Sequence, residues 1–220
     1  MLFTDRHDAG RKLAVRLERL NLPQPVVLAL PRGGVPIGFE IARVLAAPLD
    51  LVLVRKIGAP NQEELAVAAI AGGDPPELVT DEDITGWLSV SKEYLDAAKQ
   101  TALQEIERRR QRYSGDRKPL EIAGCSAIVV DDGAATGATM LAALRVTRRR
   151  RPARLVLAVP VAPDDTLDRL REEVDLAVCL ETPENFYAVG QFYRAFPQLR
   201  DEEVIELLEQ ARSFVVPGRT

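Results

Sequence analysis

The chain has 220 residues, which is enough to bury a substantial core in one domain. Its formal net charge of −4 at pH 7 and its pI near 5.3 give no general basic footprint, so binding of nucleic acid or of a membrane surface is not expected. The N-terminus carries charge too early for a secretory signal, and no apolar run reaches the roughly 18 residues of a transmembrane helix. We therefore expect a cytoplasmic protein. Its two cysteines, Cys125 and Cys179, are expected to be structural thiols, because each lies in or beside a predicted buried strand.

The predicted elements alternate between strands and helices along most of the chain. Short, continuously apolar runs predict five strands, at 26–30, 49–54, 126–131, 154–161 and 174–180. Helical patterns occupy 5–20, 35–46, 137–150, 164–173 and 201–211. Continuous apolar strands are typical of a sheet that is covered on both faces. This order therefore predicts an α/β fold with a parallel sheet of about five strands flanked by helices.

Residues 55–120 interrupt this alternation. Two short strands are predicted around the turn GGDPP at 72–76, followed by a long helix from about Ser91 to Arg112. We interpret the interval as an inserted segment near the carboxyl edge of the sheet, within a single domain that spans 1–220. Basic runs at 107–112 and 148–151 lie near predicted helix C-termini, where cations stabilise the helix dipole. We interpret these runs as solvated helix ends rather than as nucleic-acid contacts.

The most informative stretch is AIVVDDGAATGATM at 127–140, in which Asp131 and Asp132 directly follow an apolar strand. Ligands of parallel sheets bind at the carboxyl ends of strands, where carboxylates can accept hydrogen bonds from a polyol or help to organise a hydrated cation. The small residues that follow let the backbone approach an anion, and the hydroxyls of Thr136 and Thr139 near a helix N-terminus suit a phosphate group. The alternative is a tight strand–helix turn in which Asp132 only caps the helix.

Several other catalytic motifs are absent from the sequence. The stretch lacks the GK[ST] of a Walker loop and the GxGxxG of a dinucleotide-binding loop, and no GxSxG elbow occurs. The sole histidine, His7, lies in the N-terminal segment. Histidine-based catalysis is therefore not expected.

The stretch AIVVDDGAATGAT resembles the signature of the type I phosphoribosyltransferases, which joins an apolar strand, two acidic residues and a loop of the form hydroxyl–Gly–x–hydroxyl. The resemblance implies that Asp131 and Asp132 bind the ribose 2- and 3-hydroxyls of phosphoribosyl pyrophosphate (PRPP). It also implies that the 5-phosphate is cradled by Ala135, Thr136, Gly137, Ala138 and Thr139. Mg²⁺ is the implied cofactor, held mainly by substrate oxygens and water rather than by direct protein ligands.

Two further segments fit the family's pattern. ALPRGGVPIG follows the first strand, where the family has a short pyrophosphate-binding loop; Gly33 and Gly34 would expose amides, and Arg32 would add charge. LVRKIGAPNQEELA follows the second strand, where the family has a mobile loop that closes over the substrate. Arg55 and Lys56 are the candidate catalytic cations there. On the residues alone, the alternatives are a glycine turn into the next helix and a flanking charge pair.

The sequence departs from the family's pattern near the acceptor. Members that act on 6-oxopurines typically carry an acid at the position of Ala135 and often a lysine at that of Ala138, so this acceptor class is not supported. Many members also carry bulky aliphatic residues at the positions of Gly133 and Ala134, and their absence here suggests a wider base pocket.

An aromatic cluster follows the last predicted strand. Five of the 11 aromatic residues lie between Phe186 and Phe196, where the family's chain forms a small hood over the base, here about 181–220. One of these rings could stack on a heterocycle, with Glu184 or Asn185 at its edge. Alternatively, the rings could pack helix 201–211 onto the sheet or form a homodimer contact.

The resemblance thus implies an enzyme that transfers the 5-phosphoribosyl group from PRPP to a nitrogenous base and releases pyrophosphate. One alternative is a non-catalytic regulator that binds PRPP or a nucleotide without turnover, because a fold does not determine function. A sugar-phosphate hydrolase is a third interpretation.

Overall fold

The computed structural model describes residues 2–60, 62–73, 75–80, 85, 88 and 90–214. Its strands are β1 (Pro25–Ala29), β2 (Leu49–Leu51), β3 (Val54–Ala59), β4 (Gln62–Ala71), β5 (Glu77–Thr80), β6 (Ser126–Val130), β7 (Arg154–Val161) and β8 (Leu176–Glu181). Its helices are α1 (Arg6–Glu18), α2 (Gly34–Leu45), α3 (Lys92–Ser114), α4 (Ala138–Arg149), α5 (Asp164–Arg171) and α6 (Asp201–Ala211), with short 3₁₀ turns at Val189–Phe192 and Arg212–Phe214. Asp74 of the predicted turn at 72–76 and residues 215–220 of the predicted hood lie outside the described residues.

The main sheet contains five strands in the order β2-β1-β6-β7-β8, and every neighbouring pair is parallel. Side chains of β6 alternate between two separate apolar clusters. Ile128 and Val130 face the cluster that includes α1 and α2, whereas Ala127 and Val129 face the cluster that includes α4 and α5. Both faces of the sheet are therefore covered, which explains the continuous apolar runs in the sequence. The predicted α/β fold with a five-stranded parallel sheet is confirmed.

The connections out of the sheet diverge between β1 and β6. From β1 the chain passes through α2 to the edge strand β2, whereas from β6 it passes through α4 to β7 on the other side. The connections that follow β1 and β6 consequently run to opposite sides of the carboxyl edge, at the position where an open parallel sheet has its ligand crevice. Such a switch point is the usual ligand site of an open parallel sheet.

The inserted segment forms a second, antiparallel sheet in the order β3-β4-β5, followed by α3. Closure of 53–66 over the substrate stays a prediction, but its part Val54–Ala59 is a strand rather than an irregular loop, because Arg55 and Lys56 lie within β3 and pair with β4. The physical reason is visible in the burial pattern. Ile57 and Ala59, two positions apart, are both buried, so this stretch has an apolar face that packs as a strand.

No helix in the described part of the chain combines the length and the apolar character needed to cross a bilayer. Cys125 and Cys179 are both free and partly buried. The organisation of 1–220 as one domain, with an insertion at about 55–120 and a hood at about 181–220, stays a prediction.

Candidate active site

The acidic pair stands at the carboxyl end of β6, directly after the buried Val130. The backbone N–H of Asp132 donates a hydrogen bond of 2.8 Å to Oδ1 of Asp131. Burial raises the pKa of both carboxyl groups, and the neighbouring charge of Asp132 raises the pKa of Asp131 further. Adjacent acids with raised pKa values at a crevice are typical of a functional site rather than of a stabilising ion pair.

Arg6, the first residue of α1, contacts this pair, although no sequence pattern predicted the contact. Its Nε donates to Oδ2 of Asp132 at 2.7 Å, and its Nη1 donates to the carbonyl oxygen of Pro197 at 2.8 Å. The guanidinium carbon stands 3.7 Å from the ring centroid of Phe196, and the Arg6 side chain is largely buried. The Arg6 interaction lowers the pKa of Asp132 and so opposes the effect of burial.

The glycine loop after β1 lies against the same carboxylate. A Cβ atom on Gly33 would stand 2.0 Å from Oδ2 of Asp132, and a Cβ atom on Gly34 would stand 2.6 Å from the carbonyl oxygen of Val130. Both distances are far below van der Waals contact, so a larger residue at either position would require rearrangement. The structure therefore brings the predicted pyrophosphate loop and the predicted ribose-binding pair into direct contact.

The predicted phosphate loop, 135–139, forms the turn into α4. Gly137 has φ of +78°, a left-handed conformation that favours glycine, and it is the N-cap residue of the helix. Because no side chain caps α4, the alternative role of Asp132 as a helix cap does not hold. The first amides of a helix have no intrahelical acceptors, so this turn is suited to bind an anion.

Helix α5 supports the phosphate loop through two residues that sequence reasoning missed. The hydroxyl of Thr166 donates a hydrogen bond of 2.7 Å to the carbonyl oxygen of Ala135. The guanidinium of Arg169 donates a hydrogen bond of 3.0 Å to the carbonyl oxygen of Thr136. Both contacts hold loop carbonyls from the side of α5, which restrains the loop.

A residue of the hood fills the space beside Gly133. A Cβ atom on Gly133 would stand 2.7 Å from Cγ1 of Val189 and 3.2 Å from Cγ1 of Val161. Ala134, the next residue, is buried. Val189 thus occupies the space beside Gly133, and the wider base pocket expected from the sequence stays a prediction.

A cleft of about 1120 Å³ opens beside the phosphate loop. Its lining includes Lys56 from β3, residues 135–138, and the hood residues Pro183, Glu184 and Phe186. The cleft therefore joins the predicted phosphate site to the predicted acceptor site.

The three predicted cations have different surroundings. Lys56 lines the cleft, and its charge lowers the pKa of Asp131. The neighbouring Arg55 instead places Nη1 3.6 Å from Oε1 of Glu105 in α3. Arg32 is exposed, with Nη1 3.6 Å from Oδ1 of Asp201 at the start of α6. Of these three, the structure brings Lys56 to the cleft and pairs the other two with acids of neighbouring helices.

The aromatic cluster divides between the cleft and the N-terminal segment. Phe186 lines the cleft and packs against Phe192 with ring centroids 5.1 Å apart, whereas Tyr187 is 88% exposed. Tyr193 packs against Phe3 at 5.3 Å and donates a hydrogen bond of 2.7 Å from its hydroxyl to the carbonyl oxygen of Asp132. Phe186 is therefore the ring of this cluster that the structure brings to the cleft lining, and Tyr193 supports the acidic pair from behind.

Comparison with known proteins is consistent with this geometry. The model of the phosphoribosyl transferase domain family matches residues 4–197. A relative found in two strains of Mycobacterium tuberculosis, provisionally named a phosphoribosyl transferase, is 46% identical over 218 residues, or 99% of this chain. The chain spans about half the length of these curated relatives, 49%. The crystal structure of TT1426 from Thermus thermophilus is similar with a TM-score of 0.79 and 40% identity, covering 96% of this chain and 99% of that one.

Proposed function

The chain belongs to the phosphoribosyl transferase domain family, as its resemblance to type I phosphoribosyltransferases predicted, and we propose that it transfers the 5-phosphoribosyl group from PRPP to a nitrogenous base. One observation carries the proposal. The acidic pair, a glycine loop whose Gly33 has room for no Cβ beside Asp132, and the N-terminus of α4 lie together at the carboxyl edge of the sheet. These are the three groups needed for a ribose, a pyrophosphate and a phosphate.

In this proposal Asp131 and Asp132 accept hydrogen bonds from the ribose 2- and 3-hydroxyls. Ala135 to Thr139 bind the 5-phosphate through the amides at the start of α4, with the hydroxyls of Thr136 and Thr139 as further donors. Thr166 and Arg169 hold the carbonyls of that loop, so the loop is ordered before the ligand binds.

Pyrophosphate would lie on the amides of Gly33 and Gly34, with cations on either side. Lys56 suits this role because it lines the cleft within electrostatic range of Asp131. Arg32 would have to leave Asp201 to reach the pyrophosphate. Arg55 pairs with Glu105 on α3 and has a structural role in this proposal, so the catalytic role expected of both cations is given to Lys56 alone.

Mg²⁺ accompanies PRPP generally in this family. Among the described residues, no group of three or more His, Cys, Asp or Glu side chains could form a metal cage. The carboxylate oxygens of the acidic pair suit the chemistry of Mg²⁺, which prefers oxygen donors and retains several waters. We propose that PRPP oxygens and water hold most of the ion. When bound, it neutralises charge on the departing pyrophosphate.

The reaction itself requires mainly electrostatic help. The lone pair of a ring nitrogen forms a bond to C1 of the ribose while the C1–O bond to pyrophosphate breaks and its electron pair leaves with the pyrophosphate. The N–H proton that the acceptor loses passes to the pyrophosphate or to water. The transition state resembles an oxocarbenium ion. The chain's task is to fix the ribose, neutralise the pyrophosphate through loop amides and Lys56, and exclude water from the crevice.

The acceptor end of the cleft is formed by the hood. Phe186 offers a ring face for stacking, and the carboxylate of Glu184 can accept a hydrogen bond from an N–H at the edge of a heterocycle. Ala135 and Ala138 stand where members acting on 6-oxopurines carry charged residues, so we propose an acceptor outside that class. A homodimer and a cytoplasmic location stay predictions from the sequence.

The proposal is tested by pyrophosphate release from PRPP and Mg²⁺ across a panel of purines, pyrimidines and other nitrogen heterocycles. We expect release with at least one acceptor, and its loss in Asp131→Asn. Tight binding of PRPP without release for any acceptor would overturn the transferase and favour the non-catalytic regulator. Release of phosphate without any acceptor would favour a hydrolase.

A further inference from the structure

We infer that Arg6 is a positioning residue of the phosphoribosyl site, and that the N-terminal segment before α1 is therefore part of that site. The inference rests on the proposed function, because it assigns Arg6 the task of holding Asp132 for the ribose. Arg6 is 126 positions away from Asp132 in the chain. No motif marks it in the sequence.

The N-terminal segment is fixed by contacts that do not involve Asp132. The amides of Leu2 and Phe3 both donate to the carbonyl oxygen of Phe192 at 3.0 Å. In return, the amide of Arg194 donates to the carbonyl oxygen of Phe3 at 2.8 Å, and that of Ala195 donates to Thr4 at 2.9 Å. These four backbone hydrogen bonds fix the N-terminal segment against the hood. The backbone that leads into Arg6 is therefore held in place beside the acidic pair.

The side chain of Arg6 is held on three sides. Its Nε contacts Oδ2 of Asp132, its Nη1 contacts the carbonyl oxygen of Pro197, and its planar face covers the ring of Phe196 at 3.7 Å. A guanidinium held in one orientation fixes the carboxylate that it contacts more tightly than a flexible ammonium would. Tyr193 holds the backbone of the same aspartate through its carbonyl oxygen.

This arrangement meets a chemical need of the acidic pair. Two neighbouring carboxyl groups in a buried setting favour protonation of one of them, and a protonated carboxyl group has less acceptor capacity for a ribose hydroxyl than a carboxylate. The positive charge of Arg6 lowers the pKa of Asp132 against the raising effect of burial, and so favours the ionised carboxylate. Because the contact uses Oδ2, the other carboxylate oxygen, Oδ1, is the one that would accept from the ribose.

The contact also links the acidic pair to the glycine loop. Oδ2 of Asp132 is the atom that lies 2.0 Å from the Cβ position of Gly33, and it is also the atom that Arg6 binds. Arg6 and the backbone of the glycine loop therefore meet the same oxygen of Asp132.

The test is calorimetric titration of Arg6→Gln, Arg6→Lys and the matched control Arg16→Gln, which removes an exposed charge from the same helix. The probes are Mg²⁺ with PRPP, ribose 5-phosphate and inorganic pyrophosphate. We expect Arg6→Gln to bind the two ribose ligands about ten- to a hundredfold more weakly, while pyrophosphate affinity stays within about twofold. Arg6→Lys should recover part of the loss, and Arg16→Gln should bind all three like the wild type.

The outcomes separate the inference from the function beneath it. If the wild type binds no PRPP, the proposed function is wrong, and the inference about Arg6 is wrong as well because it rests on that function. If the wild type binds PRPP and Arg6→Gln binds it equally well, the inference alone fails. Equal losses for ribose ligands and pyrophosphate would also overturn it, because they would indicate general damage to the crevice. Should Arg6→Gln not fold, the same comparison in Arg6→Lys decides: a loss confined to the ribose ligands supports the inference, and a uniform loss or none overturns it.

Discussion

Replacement of Gly33 by alanine tests the close approach of the glycine loop to the acidic pair. The φ of Gly33 is −61°, which alanine adopts without strain, so any effect must come from the added methyl group. That group would stand 2.0 Å from Oδ2 and 2.4 Å from Cγ of Asp132, whereas ordinary contact begins at 3.4 Å. The glycine loop or the carboxylate of Asp132 would therefore have to move until the new Cβ atom and Oδ2, 2.0 Å apart, are separated by 3.4 Å.

The carboxylate has little freedom to move, because Arg6 holds Oδ2 at 2.7 Å and Tyr193 holds the backbone carbonyl of Asp132 at 2.7 Å. The free protein can relieve the clash by shifting the loop. PRPP binding requires both the glycine loop and the Asp132 carboxylate in their original positions. The cost of the clash therefore reduces the affinity for PRPP. Overpacking of this kind costs about 1–3 kcal/mol, which corresponds to a loss of affinity of about 5- to 150-fold.

The assay is calorimetric titration of PRPP with Mg²⁺ into Gly33→Ala and into a control, Gly115→Ala. No described atom lies within 4 Å of the Cβ position at Gly115, but its φ of +58° makes alanine strained there. The control should therefore lose stability by roughly 1 kcal/mol and keep its affinity. Unchanged PRPP affinity in Gly33→Ala, or an equal loss in both variants, would refute the reasoning.

Four further substitutions probe the remaining parts of the site. Asp131→Asn should bind PRPP more weakly yet melt at a higher temperature near pH 7. The raised pKa of Asp131 means that its contribution to stability is present at low pH and is lost as pH rises from the ordinary value of 3.8 through the raised pKa, and asparagine removes this loss. A lower melting temperature with unchanged affinity would contradict the assignment. Thr136→Val should weaken ribose 5-phosphate binding about fivefold while leaving ribose unaffected, and equal effects on both ligands would argue against a phosphate contact. In titrations with pyrophosphate, Lys56→Gln should lose affinity and Arg55→Gln should not, because only the former residue lines the cleft; the reverse order would remove Lys56 from the site.

The sheet was predictable because its strands carry an unambiguous pattern. A run such as Ala127 to Val130 is apolar at every position and too short for a buried helix, so it indicates a strand covered on both faces, and β6 buries all four side chains. The acidic pair was predictable for a related reason. Charges that follow such a run directly must stand at the carboxyl edge, where parallel sheets bind ligands.

The parts that escaped prediction depend on contacts between distant positions. Arg6 looks like any other charge of α1 until the fold brings it to Asp132. The space beside Gly133 is filled by Val189, which lies much later in the chain, so the local sequence did not show what occupies it. Local patterns describe which face of an element is buried, but they do not say which element will cover it.

The insertion shows a different limit. The stretch around Arg55 and Lys56 contains a charge pair, and its resemblance to the family's loop implied one catalytic role for both residues. In a strand, adjacent side chains point to opposite faces, so Lys56 reaches the cleft while Arg55 meets Glu105 of α3. Once the segment is known to be a strand, the division of roles follows from its alternation.

The central claim is that this crevice joins a phosphoribosyl group to a nitrogenous base. The most direct measurement is mass spectrometry of the chain incubated with PRPP, Mg²⁺ and a mixed pool of nitrogen heterocycles. We expect a new species whose mass equals one heterocycle plus the phosphoribosyl group minus the hydrogen that this group replaces, formed by the wild type and absent with Asp131→Asn. Recovery of PRPP and of every heterocycle unchanged, from a protein that binds PRPP, would contradict the claim.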